Sequence, residues 1–279
     1  EEWGADWWFK VWGPEYLAEE GIGERDDWVL KADERWHDFG KLAAGFNMLD
    51  PIKATIITPG LEMDGNFADT GIPASIVTKY LSEHGVIVEK TGLYSFFIMF
   101  TIGITKGRWN TMVTTLQQFK DDFDKNQPLW RVLPEFVAKY PRYERIGLKD
   151  LCQQIHQVYK KHDVARMTTE MYLSDLTPAM TPADAYAHIA RRKTERVSID
   201  ELEGRITVGL VTPYPPGIPL LVPGEVFNKK IVDYLKFSRE FNLQCPGFET
   251  DIHGLVEEKA KMALSGTLQI ACEFLLNLD

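Results

Sequence analysis

The sequence has little of what would assign a membrane, metal or disulfide class directly. Its longest apolar run, residues 96–104, falls well short of the roughly 20 residues that a membrane-spanning helix needs. The 279 residues include three cysteines, an odd number with no Cys-x-x-Cys pair: Cys152, Cys245 and Cys272. This pattern indicates neither a disulfide framework nor a zinc site, and it favours a reducing compartment. We therefore expect a soluble, cytoplasmic protein with no membrane partner.

Several catalytic and binding signatures are also missing. The chain contains no Gly-x-Ser-x-Gly turn, no phosphate-binding Walker loop, no His-Glu-x-x-His word and no dinucleotide glycine fingerprint. The formal net charge of −10, with no stripe of lysine or arginine, argues against nucleic acid as a partner. The negative net charge fits an enzyme whose substrate is a cation.

The six histidines are scattered along the chain. His156 and His162 lie in a predicted helix, and we expect both at the surface. His253 stands in a group with two carboxylates, Glu249 and Asp251. Because this spacing matches no known set of metal ligands, we predict no metal site.

A proline-dense segment, residues 212–225, is the most distinctive feature present. Proline fixes φ and removes a backbone donor, so this segment should be a rigid, extended loop rather than a helix or a central strand. Tyr214 is its one side chain with both a large ring and a polar tip. Two interpretations remain open: a ligand contact, or a packed ring whose hydroxyl bonds a carbonyl.

Hydrophobic periodicity predicts a β-α-β-β-α unit in the first half of the chain. Its predicted strands are 52–58, 86–89 and 95–102, the last buried on both faces. One helix has Asp69 or Thr70 as its cap and Pro73 in its first turn, and ends at Gly85. A longer helix covers 109–123, and two more are predicted at 148–159 and after Thr181.

Segment 246–254 should form a loop. Six of the eight tryptophans lie within residues 3–36 and should pack against a surface.

Glu89 is a second candidate for ligand binding. It stands at the end of the apolar run 86–88, where an unpaired charge is costly. Lys90 points to the opposite face of a strand and is a poor partner for it. A cationic ligand would pair with the carboxylate through a charge-assisted hydrogen bond. The alternative is a glutamate that simply faces solvent.

Six sequence motifs in the chain resemble motifs of one protein family and occur in the same order as in that family. They are Leu-Asp-Pro-Ile-Lys (49–53), Gly-Ile-Pro-Ala-Ser-Ile-Val (71–77), Val-Glu-Lys-Thr-Gly (88–92), Pro-Tyr-Pro-Pro-Gly-Ile-Pro (213–219), Pro-Gly-Glu (223–225) and Pro-Gly-Phe-Glu-Thr-Asp-Ile-His-Gly (246–254). In these words the chain resembles the carboxy-terminal portion of the bacterial lysine, arginine and ornithine decarboxylases. These are pyridoxal-phosphate enzymes of the aminotransferase fold type I.

The resemblance implies an α+β or α/β fold, with the small domain of the pyridoxal-phosphate fold followed by the decarboxylase carboxy-terminal α+β domain. We accordingly expect the end of the large domain at 1–48, the small domain at 49–126, the carboxy-terminal domain at 127–258 and an atypical tail at 259–279. The resemblance further implies homo-oligomers formed through the pyridoxal-phosphate domain.

The resemblance also implies site residues and a substrate. In the family, the residues matching Glu89 and Tyr214 lie along the channel that leads a basic amino acid to the cofactor. The word Val-Glu-Lys-Thr-Gly looks more like the lysine-specific branch than the acid-induced arginine branch. Conversion of L-lysine to cadaverine and CO2 is therefore the first expectation, and ornithine and arginine stay open.

One departure from the family concerns the cofactor. The family's Ser-x-His-Lys word, which carries the cofactor-binding lysine, has no counterpart because the chain contains no His-Lys dipeptide. We therefore expect no catalytic and no cofactor-binding residue within this chain, which on its own should be inactive. The absence of an initiator methionine likewise suggests a piece of a longer protein. A non-catalytic binding or oligomerisation module is the alternative.

Overall fold

The computed structural model describes residues 8–13, 29–34, 36–37, 39–43, 45, 47–50, 52–214, 217–258 and 269–276, with side chains up to residue 255. The chain divides into two compact units, Glu1–His156 and Gln157–Asp279. The mixture of helices and sheets confirms the predicted α+β class. The predicted domain boundaries at 48, 126 and 258 stay predictions.

An antiparallel sheet forms the centre of the first unit. Its described strands, in the spatial order β1-β2-β4-β3, are β1 (Lys10–Val11), β2 (Lys53–Ile57), β3 (Lys90–Thr91) and β4 (Ser95–Met99). Ile56 pairs with Phe96 across β2 and β4, and both side chains are buried. Their neighbours Thr55 and Phe97 are only partly covered. The alternation shows that one face of the sheet carries the core.

The helices of the first unit follow the predicted periodicity closely. They are α1 (Ala74–Glu83), α2 (Lys106–Asp124), α3 (Leu129–Val132), α4 (Pro134–Lys139) and the first part of α5 (Leu148–Lys161). α1 and α2 meet through Tyr80, whose ring lies edge-on to Phe119 at 5.2 Å and whose hydroxyl donates to Asp122 at 2.7 Å. Aromatic packing and one buried hydrogen bond therefore join the two helices.

Two predicted strands need correction. Segment 86–89 is not a strand: after Gly85, at φ +77°, the Val86 N–H donates to the Leu81 carbonyl and closes the end of α1. Pairing begins only at Glu89, whose N–H donates to Phe97 O at 2.9 Å. The other strand, β4, is shorter than predicted and buried on one face, and Ile102 lies beyond its end, fully exposed.

The start of α1 was also predicted wrongly. Pro73, rather than Asp69 or Thr70, occupies the capping position. Residues 69–73 lie outside the helix, and the Ile72 N–H donates to the Pro59 carbonyl at 2.8 Å. The end of α1 at Gly85 is as predicted.

The second unit surrounds a separate hydrophobic core. Its helices are the remainder of α5, then α6 (Val164–Tyr172), α7 (Pro182–Ala190) and α8 (Lys229–Gln244). Its described strands are β5 (Thr194–Ser198), β6 (Thr212–Tyr214), β7 (Asp251–His253), β8 (Leu255–Glu258) and β9 (Gln269–Leu276). Phe227, Ile231 and Leu235 are completely buried at the centre of this core.

Strand pairing extends through the second unit. β9, within the segment expected to be an atypical tail, pairs antiparallel with both β5 and β8, and the departure of this tail from the family stays a prediction. β6 and β7 pair with each other, so both the proline-rich segment and segment 246–254 contain short strands where loops were expected. Proline fits here because a two-stranded ribbon has only edge strands.

His156 is buried rather than exposed as predicted. It lies on the apolar face of α5 beside Cys152 and has no accessible surface. Its Nε2–H donates to the Ala68 carbonyl at 3.0 Å, which leaves Nδ1 to accept from the Tyr94 hydroxyl at 2.6 Å. The imidazole therefore joins three segments of the first unit. His162, also expected at the surface, is partly buried and packs against Phe237.

We predict that His156→Ala lowers the free energy of unfolding by about 2–4 kcal/mol, because it leaves a cavity and removes the hydrogen bonds to Tyr94 and Ala68. Urea denaturation followed by circular dichroism measures this loss. Gln154→Ala, at an exposed position of the same helix, is the control and should stay within about 0.5 kcal/mol of the unsubstituted chain. Equal losses for the two variants would contradict the assigned role.

Candidate functional site

Glu89 lies where the chain enters β3, with its backbone fixed and its side chain exposed. The Phe97 carbonyl holds its N–H, and Lys90 begins the strand immediately after it. Within the described residues, no hydrogen bond or ion pair engages the Glu89 carboxylate. The premise that it ends a buried apolar strand is wrong, since Ile87 is 89% exposed. Its backbone is nevertheless fixed, and its side chain faces solvent, as the alternative interpretation expected.

Tyr214 ends β6 and is half exposed, at 47%. It pairs in register with Asp251 of β7, and its ring centroid lies 4.5 Å from that of His253, at an interplanar angle of 35°. The ring also lies over Gly217, where an added Cβ would come within 2.8 Å of Tyr214 Cε1. The phenol is therefore held by a short ribbon, with an imidazole and a bare glycine as neighbours.

The His253 cluster takes a different form from the one the sequence indicated. Nε2–H of His253 donates to Asp251 Oδ2 at 3.1 Å, and the other carboxylate, Glu249, accepts from the Gly247 N–H at 2.6 Å. The two acids therefore serve different partners. Across the part of the chain that the structure describes, no group of three or more His, Cys, Asp or Glu side chains could hold a metal ion.

The contact between His253 and Tyr214 was missed from the sequence. One signal for it was present: Asp251 and His253 are two residues apart, so in a strand they share one face. That signal could be used only with the knowledge that segment 251–253 pairs with segment 212–214.

Family models match both ends of the chain. The model of the Orn/Lys/Arg decarboxylase major domain matches residues 4–108, and that of the Orn/Lys/Arg decarboxylase C-terminal domain matches residues 165–270. The chain belongs to the Orn/Lys/Arg decarboxylase family. The predicted resemblance is thereby confirmed.

Individual members of the family agree with this assignment. The chain is 46% identical to lysine decarboxylase LdcA of Pseudomonas aeruginosa over 90% of its length and 34% of that protein. It is 39% identical to the inducible lysine decarboxylase of Escherichia coli K12 over 89% of its length and 34% of that protein. It therefore spans about a third of the length of the curated relatives that it matches.

A solved structure confirms the fold. The constitutive lysine decarboxylase of E. coli superposes with a TM-score of 0.87 at 33% identity, over 99% of this chain and 38% of that one. The predicted fold, the small domain of the pyridoxal-phosphate fold followed by the decarboxylase C-terminal domain, is thus shared with a lysine decarboxylase. No described helix is long and apolar enough to cross a membrane.

The cavity beside β3 does not fit the cofactor that this family implies. It is an open space of about 330 Å³ lined by Thr55, Lys90, Gly92, Ser95, Phe96 and Phe97. Pyridoxal phosphate needs a lysine for its aldehyde and an acidic partner for its pyridine nitrogen. Lys90 is exposed, and the lining contains no carboxylate. The donor set is therefore incomplete, and we assign no cofactor contact to this cavity.

We predict that Gly254→Ala lowers the free energy of unfolding by about 2–4 kcal/mol. Gly254 ends β7 at φ +93°, and an added Cβ would collide with the Leu210 carbonyl just before β6. Gly209→Ala is the matched control, because a Cβ there meets nothing within 4 Å. Urea denaturation should show the control unchanged or stabilised by up to about 1 kcal/mol. An equal loss in both variants would mean that Gly254 does not set the ribbon.

Proposed function

We propose that this chain is the carboxy-terminal part of a pyridoxal-phosphate-dependent decarboxylase of basic amino acids, acting in the cytoplasm as a homo-oligomer. L-lysine is the proposed substrate, and cadaverine and CO2 are the products. The observation that carries the proposal is the 46% identity to a lysine decarboxylase over nine-tenths of the chain. When bound, the cofactor supplies the electron sink for loss of CO2. The residues of this chain bind and orient the substrate.

Glu89 is proposed to bind the distal ammonium of the substrate. Two properties support this role: its backbone is fixed by the bond to Phe97, and its exposed carboxylate has no competing partner among the described residues. A charge-assisted hydrogen bond from an ammonium is among the stronger polar contacts available to a protein. A carboxylate in this role favours lysine over a substrate without a distal cation. Discrimination among basic amino acids by side-chain length would depend on other residues.

Tyr214, in the second unit, is proposed as a second contact of the substrate. Its ring is held by backbone pairing and by two neighbours, while almost half of its surface stays accessible. A phenol held in this way offers an apolar face for the methylene chain of lysine and a hydroxyl for a polar end.

We predict that the isolated chain, mixed with pyridoxal phosphate, develops no visible absorbance band of lysine-bound cofactor. The physical reason is that the family's cofactor lysine has no counterpart in the sequence, and that the Lys90 cavity lacks an acidic partner for the ring. An intact lysine decarboxylase is the positive control. A borohydride-stable adduct on this chain, accompanied by release of CO2 from lysine, would overturn the proposal that the chain is only part of the catalytic unit.

We predict that Glu89→Gln, in a full-length decarboxylase carrying this sequence, lowers kcat/KM for lysine about 10- to 150-fold while the fold is retained, which corresponds to about 1.5–3 kcal/mol for a hydrogen bond to a charged group. The amide keeps the shape of the side chain but removes the charge that strengthens the hydrogen bond. Glu62→Gln, an exposed glutamate of the same unit, is the control and should leave the kinetics unchanged. If both variants keep full activity, Glu89 is not a substrate contact.

A further inference from the structure

We propose that His253 is a positioning residue for Tyr214, fixing the phenol ring before the substrate arrives. This inference rests on the proposed function of Tyr214 as a substrate contact. It assigns a role to the histidine that the sequence groups with Glu249 and Asp251.

Without support, the Tyr214 ring would be loosely held. β6 has three residues and pairs only with β7, and this pairing fixes the backbone of Tyr214 but leaves its side-chain rotamer open. Pro213 contributes no N–H to the pairing. A half-exposed aromatic ring at the end of this strand would exchange between rotamers in solution unless neighbouring atoms confined it.

The ribbon places His253 where it can confine the ring. Tyr214 lies opposite Asp251, and His253 is its diagonal neighbour across the two strands. Diagonal pairs are within reach of one another when the side chains are aromatic. The 4.5 Å centroid distance and 35° tilt describe a close ring-on-ring contact.

The imidazole is itself held in place. Because the Asp251 carboxylate can only accept, the 3.1 Å bond requires the proton on Nε2 of His253. This bond orients the imidazole at the surface, where the His253 and Asp251 side chains are 59% and 74% exposed. Asp251 thus orients His253, and His253 covers Tyr214.

Gly217 confines the ring at a second place. It stands at φ +81°, with its N–H donating to Pro213 O at 2.8 Å, which folds the chain back toward Tyr214. Since Gly217 has no Cβ, the phenol ring can occupy the space that a side chain would fill. The ring is therefore restricted by His253 and Gly217 together, while its exposed surface stays open to a ligand.

The first test is spectroscopic and uses this chain alone. With ring-labelled tyrosine, and with Tyr214→Phe to assign its signal, the Tyr214 resonances should show the upfield shift that a neighbouring imidazole ring causes. His253→Ala should remove this shift, and His253→Phe should keep an aromatic ring-current shift. Circular dichroism of each variant checks that the fold is retained. A Tyr214 signal that is unchanged in His253→Ala would overturn the inference, whatever the fate of the proposed function.

The second test is kinetic and uses the full-length decarboxylase. Loss of pre-organisation should raise KM for lysine by about two- to tenfold in His253→Ala, the range expected for immobilising one side chain, with kcat within twofold. His253→Phe should restore KM.

Double variants test whether the effect passes through the Tyr214 ring. In a Tyr214→Phe background the ring is kept, so His253→Ala should still raise KM relative to Tyr214→Phe alone. In a Tyr214→Ala background it should have no effect.

The two proposals fail in different ways. If Glu89→Gln impairs lysine use but His253→Ala leaves KM unchanged, the positioning role is wrong and the proposed function stands. If Glu89→Gln, Tyr214→Ala and His253→Ala all leave the kinetics unchanged while the Tyr214 resonance still responds to His253, the contact exists but the proposed substrate role is wrong. An effect of His253→Ala that persists in the Tyr214→Ala background would also contradict positioning through Tyr214.

Discussion

The pairing of β6 with β7 is the constraint on which the candidate site in the second unit depends. Residues 212–214 and 251–253 are distant in sequence, and three paired positions bring Tyr214 beside His253 and Asp251. Two glycines make this geometry possible: Gly254 avoids the Leu210 carbonyl, and Gly217 leaves room for the ring. The prolines of segment 212–225 contribute to this geometry, because they reduce the number of backbone conformations available to the segment that holds the Tyr214 ring.

In the first unit the constraint is the one-sided sheet. One face of β2 and β4 is buried, with α1 packed against β4. The other face keeps Thr55 and Phe97 only partly covered. Glu89 lies at the edge of this sheet, where its N–H donates to the Phe97 carbonyl and its side chain is exposed. Buried polar bonds, such as those of His156 to Tyr94 and Ala68, hold the surrounding segments together.

The sequence predicted helices better than strands, for a physical reason. α2 and α5 repeat apolar residues over several turns, and a proline or a glycine marks the limits of α1. The strands are short, and pairing over large separations decides them: Val86 closes a helix rather than joining the sheet, and β7 forms only because β6 is available. The burial of His156 was missed because one polar residue in a buried helix face gives no signal until its two partners are known. Glu89 and Tyr214 could be singled out from their neighbours in sequence, whereas the role of His253 required the strand register.

The most direct test of the account is the structure of a full-length decarboxylase carrying this sequence, determined with lysine or an unreactive analogue bound. The account predicts a Glu89 carboxylate oxygen about 2.7–2.9 Å from the distal ammonium of the ligand, the distance of a charge-assisted hydrogen bond. It also predicts the Tyr214 ring in contact with the ligand and still against the His253 ring. A distal ammonium held by other residues, with both side chains facing away from the ligand, would contradict it.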